Sequence, residues 1–453
     1  MRIAGFHHDR RKDKNRDMIK RLCSVAALAV TMVSLSLAQN VRRMDIGQLF
    51  QLIEQNSKAL KTRKTETEIA QEGVKSAKSQ RLPEINASVS ASYIGNAVLM
   101  DRDFTNVHGM SSPHFGNTFT LDAQQVIYAG GAVNAGIQLA KIGAEKASVG
   151  TEISRQGQRF MALSQYLDLQ KIANREKVLR SNIQLTRQLI DNINEKHSQG
   201  VALKNDVTRY ELQLQTLGLS LTQLENTRNI LNHQLCNTLG IPVTERIEPS
   251  EDITLKTFGK EGEEQWQKEA VAANPQLRMA RLDEDMSRQQ VKLARSEMLP
   301  KVAVVANNNF NGPITFELPP IDKNLNIWYV GVGVRYSLSS LFKSNKKLSQ
   351  ARIASRQARE QTALAMEETD NNVQVAYTNY LQSYVELETQ RKKVELANEN
   401  YQVVNDRYLN QLALITDMVD AANMKLDAEL GEVDARINIA YQYYKVRYVV
   451  GKL

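Results

Sequence analysis

The chain has 453 residues, with 58 Lys and Arg against 50 Asp and Glu, a formal charge of +8. Eight cations (Arg2, Arg10, Arg11, Lys12, Lys14, Arg16, Lys20, Arg21) and three acids (Asp9, Asp13, Asp17) fall in residues 1–38. The remainder is left nearly neutral, which removes a nucleic-acid-binding reading built on net charge. Two cysteines exclude a disulfide framework, few Pro and Gly point to a mostly helical chain, and no run beyond the leader reaches the ~18 apolar residues of a membrane-crossing helix.

Residues 1–38 read as a signal peptide with an N-terminal extension. Lys20 and Arg21 precede an apolar run from Leu22 to Leu37, and Ser36-Leu37-Ala38 offers a small-x-small cleavage site before Gln39. Either Met1 or Met18 can serve as the start. Cys23 lies inside the apolar run, so the exported chain is expected to carry no lipid-bearing cysteine at its new N-terminus.

A first unit is expected over 39–240. Punctuation and periodicity predict a helix over 57–81 ending at Pro83, extended segments over 84–100 and 115–127, a very long helix over 132–199, a turn and a return helix over 204–239. Leu239-Gly240-Ile241-Pro242 is a helix stop, with Gly just past the end and Pro beyond. Residues 241–263 read as an acidic, irregular connector. A second unit over 264–453 follows the same order: a helix over 276–299 opened by Asn274-Pro275, extended segments over 301–317 and 326–338, a long helix over 346–410 and a return helix over 416–452.

The repetition shows in residues as well as in order. Leu82-Pro83 answers Leu299-Pro300, the stretch ending Val126-Ile127-Tyr128 answers the one ending Ser340-Leu341-Phe342, and Gly200-Val201-Ala202-Leu203…Asp206-Val207 answers Gln411-Leu412-Ala413-Leu414…Asp417-Met418. Three matches in one order at near-equal offsets mark an internal duplication. Helices of such length reach ~100 Å and must pack as coiled coils. The return helix has the spacing for this, with Val207, Tyr210, Leu214, Leu217, Leu221, Leu224, Arg228, Leu231 and Leu235 stepping by three and four. Each return helix plus its pre-strand helix matches one long helix in length. The two are therefore expected to lie end to end beside it, with strands at one end of the rod and the turns near 200 and 411 at the other.

The extended segments alternate. Ile85, Ala87, Val89, Ala91 and Tyr93 interleave with Asn86, Ser88, Ser90 and Ser92; Phe115, Asn117, Phe119, Leu121 and Ala123 with Gly116, Thr118, Thr120, Asp122 and Gln124; Trp328, Val330, Val332, Val334 and Tyr336 with Tyr329, Gly331, Gly333, Arg335 and Ser337, while 301–310 alternates less cleanly. Ten-residue alternation with flanking aromatics is the pattern of a membrane barrel strand. Tyr93, Phe115, Trp328 and Tyr336 are the candidate membrane-girdle residues; Trp328 and Tyr336 lie ~20 Å apart along the membrane normal. Four strands cannot close, and open edges in hydrocarbon cost several kcal/mol for each bare backbone group. Other copies must close the barrel. Two give eight strands with a filled interior, three give twelve with a lumen, and the Ser, Asn, Thr and Gly of the second face favour the lumen and hence a homotrimer.

With these residues in place, the chain resembles the TolC-type outer-membrane efflux proteins over essentially all of 40–453. The resemblance is carried by the duplicated order, by Leu82-Pro83 and Leu299-Pro300 entering strands, by Tyr128-Ala129-Gly130-Gly131 leaving them, by the Gly200–Val207 turn and by Asn237-Thr238-Leu239-Gly240-Ile241-Pro242. It implies a mainly α fold with membrane β: a trimeric 12-stranded β-barrel in the cell outer membrane, continued by a periplasmic α-helical barrel. It further implies a passive duct of a tripartite efflux system, with a periplasmic adaptor (membrane fusion) protein, an inner-membrane pump and outer-membrane lipid as partners.

By the same resemblance Asp417, Asp420 and Tyr408 are expected at the channel gate. Gly200, Val201, Leu203, Leu412 and Leu414 are expected to contact the adaptor. Asp417 and Asp420 equally suit the start of a helix, where acids complement the macrodipole. Ala413 stands where a basic lock residue is expected, and Gln411 where the first turn has Gly200. No catalytic triad, phosphate loop or metal-ligand cluster appears, so no enzyme activity, cofactor, metal or nucleic-acid partner is expected. His108 and His114 share a loop without companion ligands, and Cys236 reads as a buried thiol. A type I protein-secretion channel, or a periplasmic coiled-coil adaptor that forms no pore, are the competing readings.

Overall fold

The computed structural model describes residues 41–259 and 261–453. The signal peptide expected at 1–38, with Cys23, lies outside the described residues. Strand β1 (Val41–Met44) leads into helices α1 (Ile46–Asn56) and α2 (Lys58–Ser79), strand β2 (Glu84–Tyr93), a small hairpin of β3 (Ala97–Leu99) and β4 (His108–Met110), and strand β5 (Phe115–Ala129). Helix α3 (Ala132–Ser198) and its return α4 (Lys204–Leu239) follow. Strand β6 (Arg246–Pro249), a 3-10 turn at Ile253–Leu255 and helix α5 (Glu263–Ala273) precede α6 (Pro275–Ser296), β7 (Lys301–Gly312), β8 (Leu325–Arg335), α7 (Ser340–Leu409) and α8 (Ile415–Val450).

The unit repeats down to its caps. Asp45 and Gln48 start α1 with a capping box, the Asp45 carboxylate accepting from the Gln48 N–H at 2.8 Å and the Gln48 side chain from the Asp45 N–H at 3.1 Å. Ser57 then breaks the helix and caps α2, as Asn274 breaks α5 from α6 by accepting from the Gln276 and Leu277 N–H groups. Helices α2 and α6 have 22 residues each, and α1 and α5 have 11 each. The helix expected over 57–81 is therefore the second of a pair.

Glycines join the pieces. Gly240 ends α4 at φ +65°, where a Cβ would come 2.8 Å from the Asn56 carbonyl oxygen; Gly451 ends α8 at φ +90°, where a Cβ would come 2.8 Å from the Ala273 carbonyl oxygen. The return helix of each unit thus abuts the joint before its pre-strand helix. Helices α4 and α2 lie along α3, and α8 and α6 lie between α3 and α7. Across the rod the order is α4–α3–α8–α7 at the turn end and α2–α3–α6–α7 at the strand end.

Several boundaries differ from the sequence expectation. The strand expected over 84–100 ends at Tyr93, past which Ile94-Gly95-Asn96 turns the chain into the β3–β4 hairpin. The strand expected over 301–317 ends at Gly312, because Pro313 has no N–H for the ladder. The strand expected over 326–338 ends at Arg335, since the Ser337 carbonyl accepts from the Ser340 N–H (2.9 Å) and hydroxyl (2.6 Å) to start α7 six residues before the expected 346. Tyr336 therefore lies beyond β8. Within the expected irregular connector 241–263, β6 pairs in parallel with β1, Ile247 opposite Arg42.

This connector caps a buried cluster at the middle of the rod. Met44, Leu49, Ile53, Leu163, Tyr166, Leu235, Cys236 and Ile247 pack together, and Tyr166 donates to the Met44 carbonyl at 3.0 Å. In the second unit Trp266 and Ala270 of α5 cover Val373, Ala376 and Tyr380 of α7 and Val446 of α8. The Tyr380 hydroxyl meets the Gly259 carbonyl and the Tyr384 hydroxyl, each at 2.9 Å.

Candidate functional site

Two ends of the rod hold the candidate residues. At one end β2, β5, β7 and β8 form a single antiparallel sheet in that order, the same lateral order as the helices α2, α3, α6 and α7 beneath. The register collects alternate residues onto common faces. Ile85, Ala123, Ala306 and Val330 line up across all four strands, as do Ala87, Leu121, Asn308 and Trp328. Val89, Phe119 and Phe310 extend the same face. Asn86, Asp122, Asn307 and Tyr329 line up on the opposite face, beside Ser88, Thr120 and Asn309. There the Ser88 and Thr120 hydroxyls are hydrogen-bonded, and Asn307 donates to Asp122.

One face is thus almost wholly apolar and open. Val330, Val332 and Val334 are 65%, 70% and 68% exposed. Tyr93 pairs with Phe115 at the rim farthest from the helices, and the Tyr93 ring stacks on His114 with centroids 5.1 Å apart. Trp328 lies on β8 opposite Asn308, and Tyr336 sits past the other end of the strand. Strands β2 and β8 each have a neighbour on one side only. No helix among the described residues is long and apolar enough to cross a membrane, and none of them forms a metal-binding group of three or more His, Cys, Asp or Glu.

At the other end two turns superimpose in their hydrogen bonding. The Val201 N–H donates to the Lys196 carbonyl at 2.9 Å, and the Leu412 N–H to the Arg407 carbonyl at 2.7 Å. Both turns need a left-handed residue to reverse: Gly200 at φ +75° and Gln411 at φ +60°. Gln411 adopts the strained conformation that glycine takes freely in the first turn. Each return helix is then started by an acid three residues in. The Asp206 carboxylate accepts from the Leu203 N–H at 3.2 Å, and the Asp417 carboxylate from the Leu414 N–H at 3.0 Å.

The turns rest on a shared core of Ile193, Val207, Tyr210, Ile415 and Met418, which holds the two helical hairpins together. Burial raises the Tyr210 hydroxyl well above its ordinary value. Tyr408 packs at the edge of this core, with the Lys196 ammonium 5.6 Å from its ring centroid. Burial, and then the negative charge of Asp206, raise its pKa. Asp417 and Asp420 are exposed one turn apart on α8. Val201, Leu203, Leu412 and Leu414 project into solvent, the three leucines 69–70% exposed. Asp206 and Lys196 are the residues that the sequence reading left out of the site. The offset of 211 that pairs Leu203 with Leu414 also pairs Asp206 with Asp417, and it was the available signal.

Comparison with known proteins agrees with this geometry. The family model described as outer membrane efflux protein matches residues 266–452. Outer membrane protein TolC of Salmonella enteritidis is 23% identical over 191 residues, a match that covers 41% of this chain and 39% of TolC. The crystal structure of VceC from Vibrio cholerae covers 90% of this chain and 96% of its own, at a TM-score of 0.76 and 15% identity. The CmeC outer membrane channel of Campylobacter jejuni covers 90% and 85%, at a TM-score of 0.75 and 14% identity.

The fold is therefore that of the outer membrane protein VceC and the outer membrane channel CmeC. Over its second unit the chain is similar to the outer membrane efflux proteins, and the relatives it matches there and in fold are outer-membrane proteins.

Proposed function

We propose that three copies of this chain form a closed duct that passes small molecules outward as the outer-membrane component of a tripartite efflux system. The observation that carries it is the two-edged sheet. An apolar face open over four strands suits hydrocarbon, whereas unpaired β2 and β8 edges do not. Joining β8 of one copy to β2 of the next makes twelve strands whose Ser, Thr and Asn face lines a wet lumen. Because strands and helices share one lateral order, the same join brings α7 beside α2 and α4 of the next copy.

Exposed apolar residues on α7 support that seam. Ile353, Leu364, Val375, Val385 and Leu396 are exposed and recur every ten or eleven residues, the period that keeps one stripe of a nearly straight helix facing a neighbour. In this reading Tyr93, Phe115, Trp328 and Tyr336 anchor the barrel rims. The turns form the periplasmic mouth, with Asp417 and Asp420 as rings of carboxylates and Tyr408 restraining its closure. Gly200, Val201, Leu203, Leu412 and Leu414 offer an apolar, exposed surface to a periplasmic adaptor joined to an inner-membrane pump.

Outer-membrane fractions run with and without heating provide the test. A heat-modifiable trimer that conducts ions in planar bilayers is the expected result. Protein that stays monomeric and water-soluble without detergent overturns the proposal and favours a non-pore coiled-coil adaptor.

A further inference from the structure

At the base of the sheet, Lys301 begins β7 and Arg335 ends β8, and the register sets them directly opposite each other. Directly opposed residues of an antiparallel pair have Cβ atoms ~5 Å apart, and like charges there are destabilising. Both side chains are exposed, and neither makes an ion pair among the described residues. They lie on the polar face, because odd-numbered positions of β7 and β8 share it with Asn307, Asn309 and Tyr329.

The surrounding chain adds to the charge instead of relieving it. No acid occurs from Lys323 to Arg359, while Arg335, Lys343, Lys346, Lys347, Arg352 and Arg356 all do. Helix α7 starts with three of these lysines in its first eight residues, with no acid in its first turn and no side-chain cap. That is opposite to the charge its positive end favours. The matching start of α3 carries no charge from Ala132 to Ala140.

Carboxylates of the same chain do not meet the pair; in the proposed trimer Glu84, which starts the β2 strand joined to β8, adds one acid from the next copy to this edge. Glu297 accepts from Lys347 at 3.1 Å and Ser344 at 3.5 Å. Glu84 stands level with Val305 and Gly331, two strands across from β7. Asp122 accepts from Asn307, about 20 Å along the strand from Lys301.

We infer that Lys301 and Arg335, in the field of Lys343 and Lys346, form an anion site on the polar face where sheet passes into helix. The ligand class is small solutes bearing phosphate or carboxylate groups. Resting on the trimeric duct proposed above, three such pairs ring the lumen where the barrel passes into the helices and make anionic solutes a preferred cargo. An oxyanion between the two cations removes their repulsion and forms charge-assisted hydrogen bonds with both.

Planar-bilayer recordings with wild type, the double variant K301Q/R335Q and the charge-conserving K301R/R335K test this. The expected result is a fall of about three-fold in the chloride-to-potassium permeability ratio for K301Q/R335Q, modest beside the ten-fold or greater enrichment of counter-ions by charged clefts. K301R/R335K should match wild type. Inorganic pyrophosphate should reduce wild-type conductance and leave K301Q/R335Q unaffected. Unchanged selectivity and unchanged block in conducting K301Q/R335Q overturn the anion site alone. Wild-type protein that inserts no pore overturns the duct with it. A difference between wild type and K301Q/R335Q seen only in phosphatidylglycerol bilayers, and lost in phosphatidylcholine, assigns the pair to lipid headgroups and overturns the lumenal site.

Discussion

The carboxylate of Asp417 accepts a hydrogen bond from the Leu414 N–H at 3.0 Å, and so does the work that Asp206 does for Leu203 in the first unit. A residue proposed for the channel gate is therefore also a helix cap, and the two roles need separate variants. Asp417→Asn keeps an acceptor and removes the charge; Asp417→Ala removes both. Loss of the cap costs about 1 kcal/mol, so Asp417→Ala should lower the thermal midpoint where Asp417→Asn barely does. The doubly neutralised Asp417→Asn, Asp420→Asn should lower cation selectivity in planar bilayers. If Asp206→Ala, which removes the equivalent cap, changes selectivity as much, the gate role fails.

Gly240 and Gly451 are where each return helix meets its pre-strand partner. At φ +65° and +90°, with a Cβ forced to 2.8 Å from the Asn56 and Ala273 carbonyl oxygens, Ala at either position combines left-handed strain of about 1–2 kcal/mol with a backbone clash. Each substitution should cost at least about 2 kcal/mol by denaturant unfolding. Gly200→Ala, where nothing lies within 4 Å, should cost only the strain.

The two faces of the sheet should tolerate charge differently. Val332→Arg on the apolar face should cost about 2–4 kcal/mol if that face meets mid-bilayer hydrocarbon and deplete the protein from outer-membrane fractions. Ser90→Arg, on the opposite face, should insert at wild-type levels. Equal effects at both positions would show that neither face is selectively lipid-exposed.

Tyr166 makes the middle of the rod sensitive to alkali. Burial raises its hydroxyl from 10.0 to about 12. A folded-state pKa above the unfolded value means that the contribution is complete below pH 10 and is lost as pH rises toward 12. Unfolding midpoints followed from pH 8 to 12 should fall across that window. Tyr166→Phe should flatten the fall and lower stability at neutral pH by about 1 kcal/mol, through loss of the hydrogen bond to the Met44 carbonyl.

Cys236 lies in the same cluster, fully buried, with its thiol raised from 9.0 to about 11 by burial and then by the charge of Glu245. The thiolate is the nucleophile. Iodoacetamide at pH 8 should therefore leave Cys236 unmodified in the native protein and alkylate it in denaturant. Modification of the folded protein at a rate like that of a free thiol would contradict this burial.

Much of the fold was legible because it repeats. The duplication, the long helices and their returns, and the alternation within β2 and β8 are written in residue order, where a period of 2 or 3.5 needs no knowledge of what lies opposite. The split at Ser57 was not legible, because a single serine between two helical runs reads as helix until its hydroxyl is seen capping Leu60. Nor was β6, four residues whose partner β1 lies some 200 positions away.

What the sequence alone determined is the local chemistry: which segments are amphipathic, which turns carry Gly, and that the apolar residues of each strand alternate with polar ones. The tertiary structure decided which strand lies beside which, and so it alone set Ala87, Leu121 and Trp328 on one face, Lys301 against Arg335, and β2 and β8 at open edges. The physical reason is that periodicity is a property of one segment, whereas register is a property of two. Two segments far apart in the chain announce their pairing only through the backbone hydrogen bonds they share.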